Sequence, residues 1–195
     1  MCVSTPRPFD SRAQQGRRWN LPGDDKAPHR PEPEFRPEKL LGVLGRHGVK
    51  AILIGGFAAV AHGSPYVTTD LDVVPEDSKE NLTRLSAALD EMHARVWTEA
   101  EPGGFDFGHD TTSPAATRTW NLVTDYGRLD LTFAPSGTAG YEDLIRNATR
   151  IEILGSEALI ASLADVVRSK AAAGREKDLL VLPVLRRILA EGPRE

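Results

Sequence analysis

A single cysteine, Cys2, is the only thiol in this 195-residue chain. One thiol cannot supply a disulfide framework or a thiolate zinc site. No run of about eighteen apolar residues occurs, so a membrane-spanning helix is not expected. The first residues, Met1 to Pro8, lack the apolar stretch of a secretory signal. A basic excess is missing too: the formal net charge is −4. Any nucleic-acid binding must then rest on a local basic patch. These absences lead to the expectation of a cytoplasmic protein. Apolar residues make up 40% of the chain, enough for a core. The length suits one domain, or one domain and a small appendage.

Composition divides the chain near residue 36. Seven of the 14 prolines fall in residues 1–37, among arginines and few aliphatics. Pro28-His29-Arg30-Pro31-Glu32-Pro33-Glu34 can form neither a helix nor a central strand. Residues 1–36 are therefore expected to be a disordered or extended Pro/Arg-rich tail. A second reading is that the true start lies downstream of it. The folded domain is expected over 37–190. Leu40, Leu41 and Leu44 mark a short helix ending at Gly45 or Gly48. Strands are expected at 51–54, 69–74, around Val96 and Trp97, and at 119–124, 128–133 and 150–154. The pair 119–124 and 128–133 reads as a hairpin. Helices are expected at 57–62, from Ser78 through the Leu82, Leu85, Leu89, Met92 stripe, and at 141–148. Two more, 163–173 and 176–189, form a C-terminal helical segment from about 162. Residues 101–116 read as a Gly/Pro/Ser/Thr loop. Alternating elements of both kinds give an α/β (α+β) class.

The chemistry is concentrated at three places. Ile54-Gly55-Gly56 leaves a hydrophobic strand, and after residues 57–69 comes Asp70-Leu71-Asp72-Val73. On a strand, residues i and i+2 share a face. Asp70 and Asp72 then point one way while Leu71 and Val73 enter the core. Two same-side carboxylates repel unless a cation lies between them. Oxygen ligands suit Mg²⁺, which is usually held by carboxylates together with substrate phosphates. Metal-assisted nucleotide chemistry follows as the first expectation. A third carboxylate, Asp130, sits between Leu129 and Leu131 on another alternating strand. Gly55 and Gly56 would let the backbone approach phosphate closely. Ser64 could touch phosphate, and His62 reads as a hydrogen-bonded scaffold residue. The plainer readings are a strand-to-helix turn for the glycines and solvated strand ends for the aspartates.

Glycine pair, Asp-x-Asp and a later apolar-flanked Asp together resemble the nucleotidyltransferase superfamily that includes DNA polymerase beta. Downstream, Asp165 to Leu179 contains Lys170 on one helix and Arg175-x-Lys177-Asp178 at the start of the next. That stretch resembles the AbiEii-like toxin–antitoxin nucleotidyltransferases. Without the upstream motif it would read as a solvated charge run. The likeness runs from about Val49 to Leu185. Two positions depart from it: Tyr66 where many members carry Arg, and Val181 where many carry an acidic residue.

The resemblance implies a mixed-sheet nucleotidyltransferase fold with flanking helices. It implies catalytic Asp70, Asp72, Asp130 and Lys170. The three aspartates would hold Mg²⁺ in a two-metal site, with Mn²⁺ as the alternative ion. Gly55, Gly56, Ser64, Lys170, Arg175, Lys177 and Asp178 would bind the nucleotide, Asp178 by orienting Lys170 or Arg175. The implied activity moves NMP from an NTP, ATP among them, to an acceptor such as the tRNA 3′ end, releasing pyrophosphate. A toxin of this kind would have a cognate antitoxin protein. Arg118, Arg128, Arg168, Lys170, Arg175 and Lys177 are the candidate RNA contacts. The alternatives are a small-molecule (antibiotic) nucleotidyltransferase and a catalytically silent partner-binding module of the same fold.

Overall fold

The computed structural model describes residues 30–110 and 117–192. The Pro/Arg-rich segment up to residue 29, and the end of the expected 101–116 loop, lie outside the described residues. Helix α1 spans Pro37–Arg46 and leads to strand β1, Ala51–Ile54. Helix α2 follows at once, Gly55–Ala61, then β2 at Asp70–Pro75 and α3 at Lys79–Glu91. Strands β3 (Arg95–Thr98), β4 (Glu101–Phe105), β5 (Thr119–Thr124) and β6 (Gly127–Thr132) come next. A short α4 (Tyr141–Leu144) precedes β7 (Thr149–Ile153) and β8 (Ser156–Ile160). Helices α5 (Leu163–Ala173) and α6 (Glu176–Glu191) close the chain.

The eight strands form one mixed sheet in the order β4-β3-β5-β6-β2-β1-β8-β7. The β2–β6 and β1–β8 pairs are parallel and the others antiparallel. Register sorts the side chains by face. Leu53 stands beside Val73, Leu71 beside Leu129, Val73 beside Leu131, and Leu122 beside Leu129. These residues are buried and face α1 and α3. The opposite face carries Ile54, Asp72, Asp130 and Asn121 in successive register. Alternation along the two central strands thus buries leucine and valine on one side and collects carboxylates on the other.

Local chemistry fixes the helix ends. Ser78 Oγ accepts from Asn81 N at 3.3 Å, capping α3, and Ser162 Oγ accepts from Asp165 N at 3.1 Å, capping α5. Gly174 adopts the left-handed conformation, φ 63°, that ends α5 and turns the chain into α6.

Three expectations are corrected. Residues 101–105, read as loop, form the edge strand β4, paired with β3 alone. Its Pro102, Gly103 and Gly104 carry little strand propensity, and an edge position tolerates them. Strand β8 had no expected counterpart. It is set by tertiary pairing: β7 turns at Leu154 and Gly155, both with positive φ (52° and 74°), and β8 then slots beside β1. The helix expected at 141–148 stops at Leu144.

Residues before α1 make defined contacts. Arg36 N donates to Tyr126 O at 2.9 Å, and its guanidinium donates to Asp125 O at 3.0 Å and covers the Tyr126 ring. Phe35 packs on the core.

Candidate active site

Strands β2 and β6 lie side by side and in parallel, with Asp72 opposite Asp130 and Asp70 opposite Arg128. Three carboxylates therefore meet at one edge of the polar face. Each of Asp70, Asp72 and Asp130 offers an oxygen, and the three oxygens lie within 4.8 Å of one another. Thr68 Oγ1 donates to Asp70 Oδ1 at 2.5 Å and fixes that side chain. Gly56 N–H donates to Asp72 Oδ2 at 3.4 Å.

The glycine pair has a steric meaning here. Gly55 has φ 68°, and a Cβ at that position would lie 1.9 Å from Asp72 Oδ2. A Cβ at Gly56 would lie 2.6 Å from Thr68 Oγ1. Both glycines leave room for the carboxylate site itself. The first turn of α2 aims a backbone N–H at Asp72 as well.

Electrostatics records the crowding. Burial, then the charges of Asp70 and Asp130, push the Asp72 carboxyl up to about 7, against the pull of Gly56 N–H and Lys170. Burial also raises Asp130. Arg128 opposes that rise and Asp70 adds to it. Such a group of carboxylates is short of positive charge, and its donors are all oxygen. That set fits a hard divalent cation such as Mg²⁺. It would be held by Asp70, Asp72 and Asp130.

A cleft of about 570 Å³ opens above the triad. Gly55, Gly56, Ser64, Tyr66, Val67, Lys170, Arg175, Lys177, Asp178 and Val181 line it with the aspartates. Every residue anticipated for the site thus reaches one cleft. Lys170 Nζ donates to Asp178 Oδ1 at 2.9 Å, and Arg175 Nε donates to Asp178 Oδ2 at 2.6 Å. Asp178 serves both cations at once. Burial alone would raise its carboxyl, yet the two cations hold it below the ordinary range. Lys177 lines the cleft without an ion pair among the described residues. Ser64 is buried, and its Oγ accepts from Tyr66 N at 3.3 Å, shaping the turn before β2. His62 Nε2 is bonded to Ala161 O at 2.8 Å, a scaffold contact.

The remaining candidate RNA contacts have internal partners. Arg118 faces Asp77 at 3.5 Å, Arg168 faces Asp143 at 2.7 Å and Asp165 at 3.0 Å, and Arg128 faces Asp130 at 3.4 Å. Sequence reasoning gave no site role to Thr68, Asn121 or Trp97, and it read Arg128 as an RNA contact only. The i, i+2 relation of Arg128 and Asp130 was the available signal for Arg128, since it puts both on one face.

No family model matches the chain, and no curated protein matches it by sequence. Solved structures do. The lincosamide antibiotic adenylyltransferase LnuA, bound to lincomycin, is 12% identical, with 80% of this chain and 99% of that one covered and a TM-score of 0.52. A Thermotoga maritima protein provisionally assigned as a nucleotidyltransferase is 16% identical over 82% of this chain and 98% of its own, at a TM-score of 0.49. ANT(2″)-Ia, in complex with adenylyl-2″-tobramycin, is 15% identical over 77% and 95%, at 0.43. At such identities the likeness to LnuA establishes the fold alone: this chain has the nucleotidyltransferase fold.

Proposed function

We propose that this protein is a Mg²⁺-dependent nucleotidyltransferase that moves NMP from an NTP to an acceptor hydroxyl and releases pyrophosphate. The observation that carries the reading is the convergence of Asp70, Asp72 and Asp130 in a cleft also lined by Lys170, Arg175 and Lys177. Carboxylates at one place and ammonium or guanidinium groups beside them suit a polyphosphate with its counter-cation. Asp70, Asp72 and Asp130 would hold Mg²⁺, which would supply charge neutralisation for the phosphates and acidification of the acceptor hydroxyl for in-line attack. Lys170, fixed by Asp178, presents a compact charge to the phosphate oxygens. Thr68 and Gly56 keep Asp70 and Asp72 aimed at one point.

The finer reading is a toxin that extends the tRNA 3′ end and pairs with an antitoxin protein. Its support is the resemblance of the Asp165–Leu179 segment, with Lys177 free to meet an RNA phosphate. A second reading, a small hydroxylated acceptor, draws on the cleft lining near Asp130. There Thr119, Asn121 and Thr132 are neutral and polar, which suits a small polyol better than a polyanion.

The test incubates the protein with Mg²⁺, each α-³²P-NTP in turn, and total RNA or a panel of hydroxylated small molecules. Extended tRNA is the expected product. Labelling of a small molecule with RNA untouched transfers the assignment to the second reading. Asp130→Ala should cut labelling by about a thousandfold, the order for loss of a metal ligand. Full activity in that variant would end the nucleotidyltransferase reading.

A further inference from the structure

Trp97 of β3 and Arg128 of β6 belong to the same polar face as the triad. Register runs Val96 to Leu122 to Leu129, so the next row along the sheet holds Trp97, Asn121, Asp130 and Asp72. The Arg128 guanidinium lies over the Trp97 ring, 3.7 Å from its centroid. Its Nη2 reaches the two Asp130 oxygens at 3.5 and 3.4 Å. Arg128 and Asp130 side chains are each 18% exposed, so the pair is partly desolvated. Arg128 Nε and Trp97 Nε1 are buried and meet no acceptor among the described residues. Two buried donors without acceptors are unfavourable for folding, and such an exception calls for a reason beyond stability.

We propose that Arg128, seated on Trp97, is a positioning residue for Asp130: it fixes the third carboxylate and holds one positive charge beside it. The inference rests on the nucleotidyltransferase reading for its kinetic arm only. Contact with the ring face limits the movement of the guanidinium. A clamped cation in contact with both oxygens of Asp130 limits that carboxylate's rotation. It also competes with a divalent ion for the same charge. Removing it therefore has two opposed effects. Metal binding gains from the lost repulsion, while turnover suffers from the freed carboxylate.

The experiment uses the full chain. Mn²⁺ binding to nucleotide-free protein is measured from the free-ion EPR signal, alongside kcat and KM for NTP. Arg128→Gln should bind Mn²⁺ roughly fivefold more tightly, the order for one charge leaving a solvent-accessible site. Its kcat should fall about tenfold with KM for NTP little changed, the signature of lost alignment in the transition state. Trp97→Leu, which removes the platform and keeps the charge, should lower kcat as Arg128→Gln does and leave Mn²⁺ affinity near wild type. Arg128→Lys, which keeps the charge and loses the guanidinium, should keep wild-type Mn²⁺ affinity and recover only part of kcat. Arg150→Gln, which removes an exposed charge paired with Glu157, controls for net charge and should change neither. Unchanged or weaker Mn²⁺ binding in Arg128→Gln overturns the proposal. If Arg128→Gln fails to fold by circular dichroism, Arg128→Lys and Trp97→Leu decide it: wild-type kcat in both would overturn it. Should the wild-type protein label no acceptor, the functional reading fails while the Mn²⁺ arm still decides the role of Arg128.

Discussion

Asp72→Asn should stabilise the metal-free protein while sharply reducing its response to Mg²⁺. Asp72 is a half-buried carboxylate crowded by two others, and its pKa rises from 3.8 to about 7. The sign follows from proton binding. The folded chain holds the Asp72 proton up to about 7, whereas the unfolded chain releases it near 3.8. Folded protein thus binds more protons across that window, and stability falls as pH rises through it. Each pKa unit corresponds to about 1.4 kcal/mol. The destabilisation from this group is then about 1.5 kcal/mol near about pH 5 and reaches about 4 kcal/mol by about pH 8. Asparagine keeps the shape and carries no charge at any pH. The gap between variant and wild type should therefore widen by about 2.5 kcal/mol from acid to base. For a chain of this size that is a melting-temperature gap growing by roughly 5–10 °C. The assay is thermal unfolding by circular dichroism in EDTA at the two pH values, repeated with Mg²⁺. Wild type at the higher pH should recover stability with Mg²⁺, and the variant should recover far less. A gap that is constant with pH, or that narrows, would refute the crowded-carboxylate reasoning. An equal Mg²⁺ response in both proteins would refute the metal assignment.

Other perturbations test separate parts of the argument. Gly55→Ala places a Cβ 1.9 Å from Asp72 Oδ2 at φ 68°, whereas Gly48→Ala, at φ 62°, meets nothing within 4 Å. Urea unfolding should show about 1 kcal/mol lost for Gly48→Ala from backbone conformation alone, and clearly more for Gly55→Ala, together with a lost Mg²⁺ response. Equal costs would mean that the Asp72 contact is unimportant. Lys170→Ala should raise KM for NTP about tenfold, the loss of one charge-assisted phosphate contact, and an unchanged KM would remove Lys170 from the nucleotide site. Deleting residues 1–36 should lower the melting temperature more than deleting residues 1–29, because Phe35 and Arg36 contact the core and the β5–β6 turn. Identical melting temperatures for the two truncations would show those contacts to be energetically empty.

What the sequence determined by itself was the chemistry and its two-residue period. Alternation at Asp70-Leu71-Asp72-Val73 and Leu129-Asp130-Leu131 assigns each side chain to a face before any fold is known, because strand geometry is local. Capping by Ser78 and Ser162, and the stop at Gly174, are local in the same sense. Which strands become neighbours is a different matter. Asp130 lies 58 residues beyond Asp72, as the numbering shows, and only the parallel β2–β6 register puts the two side by side. Strand β8 exists because β1 has a free edge for it, and β4 because β3 does. Neither segment advertises itself, since pairing energy comes from the partner strand rather than from intrinsic propensity. Gly55 looked like a phosphate-approach glycine. The fold reveals that its missing Cβ leaves space for Asp72. Arg128 looked like a surface cation for RNA, and tertiary packing turned it onto Trp97 and Asp130. A side chain's type is written in the sequence, but its partner depends on contacts between residues far apart in the chain, and those are fixed only when the sheet is assembled.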